Sequence, residues 1–158
     1  MLKLLSTLIM MSSFVTLFSQ TQYTTETIEF EDVRPSDWVV YFEDNQNFKI
    51  EYKLITCDYT SGYDQEMVLL KVTNLSTENI KFFWHAELHY AAVCKTCNDQ
   101  DEYTFGTEVP SGQSVEGVCD RSVGFDLKFF SGFNDVNYKQ GEHLTAFKLG
   151  TLTTETTE

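Results

Sequence analysis

From Ile80 to Tyr90 the chain alternates without a break: Ile80, Phe82, Trp84, Ala86, Leu88 and Tyr90 share one parity, and Lys81, Phe83, His85, Glu87 and His89 share the other. Period-two alternation of this length predicts a strand with one face in the core and one toward water. The aromatic and branched content agrees. The strand opens at Asn79 and runs on toward Cys94-Lys95-Thr96-Cys97 and a polar, acidic loop ending at Glu102.

The same period recurs along most of the chain. Strands are predicted at 28–33, 38–43, 48–57, 65–73, 103–109, 114–119, 123–130 and 144–149, separated by turn-forming stretches such as Arg34-Pro35-Ser36-Asp37, DNQN at 44–47, NLSTE at 74–78 and Pro110-Ser111-Gly112. In 48–57, Phe48, Ile50, Tyr52 and Leu54 point inward and Lys49, Glu51 and Lys53 outward. No stretch carries a helical period of ordinary length. Eight or nine short strands with regularly spaced turns predict an all-β fold, an antiparallel β-sandwich of immunoglobulin-like outline, with a small β-barrel as the alternative.

The ends differ in composition. Residues 1–19 combine Lys3, an apolar run and a small residue before Gln20, the layout of a secretory signal peptide; Ser and Thr interrupt the run too often for a membrane span. Residues 20–27 are expected as a flexible leader, 28–150 as a single domain and 151–158 as a flexible tail. Without 1–19 the chain carries ten Lys and Arg against 24 Asp and Glu, a balance of −14. Such a field disfavours nucleic acid and anionic membrane surfaces as partners. The chain is expected to be secreted, periplasmic or on the cell surface, with no integral membrane segment in its mature form.

Four cysteines, Cys57, Cys94, Cys97 and Cys119, in an exported chain are read as two disulfides. Of three connectivities, those joining Cys57 and Cys119 to the Cys94–Cys97 loop would close long loops and are favoured on that ground. If consecutive strands are antiparallel, all four sulfurs gather at one pole, where a four-thiolate zinc site is the alternative to bridges. A thioredoxin-like role lacks the βαβ setting that its Cys-x-x-Cys requires.

Two other groups offer metal ligands. His85, Glu87 and His89 project from one face of the long strand, an imidazole and carboxylate set that suits a metal, although same-side neighbours stand nearly 7 Å apart. Asp99, Asp101 and Glu102 supply oxygen donors suited to calcium, without the spacing or glycine of an EF-hand. Catalytic motifs are missing: there is no Gly-x-Ser-x-Gly, no phosphate-cradling glycine loop and no His-Glu-x-x-His. Asn74-Leu75-Ser76 is a glycosylation sequon.

The run LLKVTNLSTENIKFFW, then CKTC, then EYTF and VPSGQSVEGVC, then FDLKFF and LTAFKLGTLT resembles small secreted proteins of Bacteroidota-type bacteria that lack an assigned function. The resemblance covers about residues 38–153 and implies an exported sandwich domain, with no catalytic residues to carry over. The resemblance says nothing about activity; on the residues themselves the expectation is a non-catalytic domain that binds a protein or a glycan through loops or a sheet face and needs no cofactor. The alternative is a metal-binding protein or metal-dependent hydrolase, with zinc or calcium held at the groups named above.

Overall fold

The computed structural model describes residues 20–30, 34–58, 64–120, 122–134 and 143–157. The expected signal peptide, 1–19, lies outside the described residues. The described residues form eleven strands: β1 Thr21–Gln22, β2 Ile28–Glu29, β3 Val39–Asp44, β4 Phe48–Cys57, β5 Gln65–Asn74, β6 Asn79–Tyr90, β7 Val93–Cys94, β8 Thr104–Val109, β9 Ser114–Glu116, β10 Lys128–Phe133 and β11 Leu144–Thr157. A 3-10 turn, Phe125–Leu127, precedes β10. The strands make two antiparallel sheets, one ordered β1-β11-β6-β7 with β2 on β11 and β8 on β6, the other β10-β5-β4-β3 with β9 on β5. The fold is a β-sandwich, as the alternation predicts; among the described residues no ladder joins the two sheets into a barrel.

Strand β6 is the spine of the first sheet. It pairs with β11 from Asn79 to Tyr90 on one side, and with β8 and then β7 on the other. Its inward residues Phe82, Trp84 and Ala86 are essentially solvent-free, as are Phe48 and Ile50 of β4. Phe147 of β11 is the aromatic hub between the layers, with the rings of Tyr52, Tyr41, Phe30 and Phe129 all within 6.0 Å, centroid to centroid. Each buried ring of this kind contributes several kcal/mol against truncation to Ala, about 3–5.

Three stretches differ from expectation. The leader is docked: β1 pairs with β11, Tyr23 sets its ring edge-on against Phe48, and the buried Thr25 hydroxyl donates to Leu149 O at 2.8 Å. Residues 151–157, expected as a tail, are the second half of β11, where Thr153–Thr157 pairs with Phe83–Asn79 and Leu152 and Thr154 turn inward. Threonine is polar, but its branched Cβ suits a pleated surface, and β6 supplies the partner. Finally, 123–130 is not one strand. Gly124 has φ +66, Leu127 N donates back to Gly124 O, and pairing begins only at Lys128.

Candidate functional site

The cysteines pair as Cys57 with Cys119 and Cys94 with Cys97. This corrects the expected cross-links between β4 or 119 and the Cys94–Cys97 loop. The reason is positional. Cys57 ends β4 on the outer side of its sheet, where Met67, Leu69, Trp38, Ile55 and Phe130 form a second small core around it and Cys119. Cys94 instead lies on the far side of β6, opposite His89 in the β6–β7 ladder. Two bridges with no free cysteine fit an oxidising environment. Among the described residues no helix is long and apolar enough to cross a membrane.

The Cys94–Cys97 loop is held from its middle. Thr96 is buried; its hydroxyl donates to Ala86 O at 2.5 Å and accepts Leu88 N–H at 2.8 Å, while Lys95 N donates to Leu88 O. The loop is thereby laced along the end of β6, so that its path does not depend on the bridge alone. A two-residue turn, Ala91-Ala92, delivers it, with both residues at positive φ (47° and 61°).

Beside this loop lies a cavity of about 310 Å³. Five rings line it, Tyr90, Tyr103, Phe105, Phe129 and Phe130, together with Leu88, Lys95, Thr96 and Lys128. The lining comes from β6, the disulfide loop, β8 and β10, which only the folded sandwich brings together. Several of its polar groups are already engaged. The Tyr90 hydroxyl donates to Phe130 O at 2.6 Å, and burial, with a smaller contribution from the neighbouring Tyr103, pushes its pKa up to about 12. The Lys128 ammonium donates to the carbonyls of Val118, Asp120 and Val123, and burial lowers its pKa, with Asp120 acting in the opposite sense. Thr96 is spent on β6.

The sequence-derived ligand groups fare differently. His85 is not water-facing: it is 3 % exposed, and neither ring nitrogen has a hydrogen-bond partner among the described residues. Pairing with Gly150 on one side and Thr104 on the other puts it at the centre of the sheet, so its outward parity does not bring it to solvent. Glu87 leans toward β11 and pairs with Lys148 at 3.8 Å. Asp99, Asp101 and Glu102 are exposed around a turn that Tyr103 N–H closes on Asp99 O. Among the described residues, neither the His85, Glu87 and His89 strip nor the Asp99, Asp101 and Glu102 loop brings its ligand atoms within reach of one ion. A different trio is close in space: His89, Cys94 and Cys97 have ligand atoms within 4.8 Å of one another, with the two sulfurs joined as the Cys94–Cys97 bridge. Phe83 and Phe130, which lie on the outward parities of their strands, stand on different sheets and do not form a single patch.

Sequence reasoning located the Cys94–Cys97 loop and β6 but missed the cavity. Its lining is drawn from residues as far apart as Leu88 and Phe130, and each taken singly reads as core or turn. Compared with protein-family models, curated proteins and solved structures, the chain matches none.

Proposed function

We propose that this chain is an exported, disulfide-stapled, non-catalytic binding domain, and that the aromatic cavity beside the Cys94–Cys97 loop seats an apolar side chain of a protein partner. The observation that carries this reading is the lining itself. A cavity of about 310 Å³ walled by five rings is at the small end of ligand sites and suits one or two large side chains. Sugar hydroxyls need hydrogen-bond partners, and the Tyr90 hydroxyl, the Thr96 hydroxyl and the Lys128 ammonium already have theirs within the protein. That favours a protein anchor over a glycan. Aromatic walls around an apolar anchor are also the composition of interface hot spots. The signal-like 1–19, the acidic balance and the two bridges support export.

The test is a titration of the isotopically labelled mature chain, followed by amide and aromatic NMR shifts. The probes are p-cresol, as a tyrosine side-chain analogue, short peptides carrying one Phe, Leu or Met, and neutral oligosaccharides. Saturable shifts at Tyr90, Tyr103, Phe105 and Phe129 with the apolar probes alone are expected. Shifts at these residues from oligosaccharides but not from apolar probes would overturn the reading.

A further inference from the structure

We infer that the Cys94–Cys97 loop and His89 form a redox-gated, three-ligand site for a soft d10 cation, Zn²⁺ above all, which becomes available when the bridge between the two cysteines is opened. It is independent of the cavity's occupant.

Placement comes first. His89 and Cys94 are cross-strand partners in the β6–β7 ladder, so the backbone itself sets two of the ligands side by side. Cys97 completes the group, and the three ligand atoms lie within 4.8 Å of one another. With Zn–S near 2.3 Å and Zn–N near 2.0 Å, ligand atoms of a tetrahedral ion stand roughly 3.5–3.8 Å apart. On reduction the two sulfurs, now at bonding distance, part to that spacing by rotation of their side chains while His89 stays beside them. Two thiolates and an imidazole are the donors that zinc selects, and three protein ligands leave a fourth position for water.

The loop is also built to keep this placement without its bridge. Thr96 anchors it through Ala86 O and Leu88 N, Lys95 N–H holds Leu88 O, and Asp99 N–H holds Thr96 O. Cys97 N–H points at Cys94 Sγ at 3.1 Å, a donor that stabilises a thiolate there. Thr145 Oγ1 bonds both Ala92 N and His89 O, tying the hairpin to the strand that carries the imidazole.

The two bridges differ in access at one residue: Cys94, Cys97 and Cys119 are each partly exposed, whereas Cys57 is fully buried within a small apolar core. An external dithiol attacks the Cys94–Cys97 bridge, passes through a mixed disulfide and leaves as its own cyclic disulfide, giving up two electrons and two protons to Cys94 and Cys97. Zn²⁺ then displaces the two thiol protons to solvent as both Zn–S bonds form, while neutral His89 donates its ring nitrogen lone pair. Bridge and metal exclude one another, so bound Zn²⁺ protects the reduced loop from reoxidation.

The experiment uses the mature chain before and after mild dithiol treatment, with alkylation and peptide mass mapping to show which cysteines opened. Zn²⁺ affinity is read against a chromogenic chelator, and Co²⁺ substitution reports thiolate ligation through its charge-transfer absorption. One Zn²⁺ per reduced chain is expected, none in the oxidised chain or in Cys94→Ala/Cys97→Ala. His89→Gln is expected to weaken Zn²⁺ at least tenfold while keeping the circular dichroism of the parent. Equal affinity in the reduced parent and the double alanine variant would overturn the site. Equal affinity in His89→Gln would remove the imidazole and with it the proposal. Opening of Cys57–Cys119 before Cys94–Cys97 would overturn the gate.

Discussion

The side-chain amide of Asn74 donates a hydrogen bond to the carbonyl of Val109 at 2.9 Å, joining the end of β5 in one sheet to the end of β8 in the other. The same amide donates to Glu78 O at 2.8 Å, and Asn74 Oδ1 accepts both the N–H and the hydroxyl of Ser76. Asn74 is fully buried. The sequon that begins at this residue is therefore closed to glycosylation in the folded state, and its role is to form the turn that carries the chain between layers. Asn74→Ala should cost about 2 kcal/mol, because it strips a buried carbonyl of its donor. Asn74→Asp should cost more at neutral pH, since a carboxylate would face two carbonyl oxygens. Denaturant midpoints of the two variants check this, and an Asp variant as stable as the parent would refute the assignment.

The Ala91-Ala92 turn should be improvable. Both residues hold positive φ, where an L side chain costs roughly 1–2 kcal/mol, and the tight hairpin between β6 and β7 is the geometry that Asn-Gly serves best. Ala91→Asn combined with Ala92→Gly should raise stability by about 1 kcal/mol after the added chain entropy of glycine is counted. Equilibrium unfolding of the double variant measures it directly; a lower midpoint would show that the alanines are not strained. Strain retained in the turn that presents Cys94 accords with a loop selected for placement rather than stability.

That turn also marks where sequence reading stops. Strands β4, β5 and β6 were legible almost to the residue, β4 and β6 because alternation over ten or more positions admits one face, β5 because a strand-length apolar run lies between turn-forming stretches. The β7 hairpin was not, since Ala-Ala carries none of the turn chemistry that announces positive φ. His85 was misplaced for a related reason: parity says which face a side chain takes, but not whether neighbouring strands cover that face. The docked leader and the paired end of β11 reverse a reading based on polarity alone. Thr25 and Thr154 are polar by composition, yet both are buried against partners that the sequence does not display.

The two bridges should differ in what they contribute to stability. Cys57–Cys119 spans 62 residues and Cys94–Cys97 spans three. In the chain-entropy picture these loops correspond to about 4 and about 2 kcal/mol, and the loss of buried Cys57 packing adds to the first. Cys57→Ala/Cys119→Ala should therefore lower the unfolding free energy by at least about 2 kcal/mol more than Cys94→Ala/Cys97→Ala. The smaller loss is also helped by Thr96, which keeps the short loop on β6 in either case. Parallel guanidinium unfolding curves decide it; equal losses would mean that the short bridge, not Thr96, organises the loop.

Acid should weaken the outer face of the second sheet through Glu51. Its side chain is mostly covered between Lys71, 2.7 Å away, and Lys49, 3.3 Å away, while Lys71 and Lys53 also sit over the ring of Trp38. Burial pushes the Glu51 carboxyl up, but the two ammonium groups outweigh it and hold the pKa below the ordinary 4.5. The Lys71 ammonium meets Glu51 at Oε2, an oxygen otherwise closed off from water. With the folded value below the unfolded one, the unfolded chain takes up the proton first as pH falls. The stabilisation is thus fully present above about pH 4.5 and is lost as pH drops through the folded value. Glu51→Gln should cost about 1 kcal/mol near pH 7, a modest amount because both lysines keep partial access to water. The two chains should converge in stability below the folded pKa. Unfolding midpoints measured from pH 7 down to 3 trace the difference, and a gap that stays constant across that range would show that the Glu51 charge does not act through these lysines.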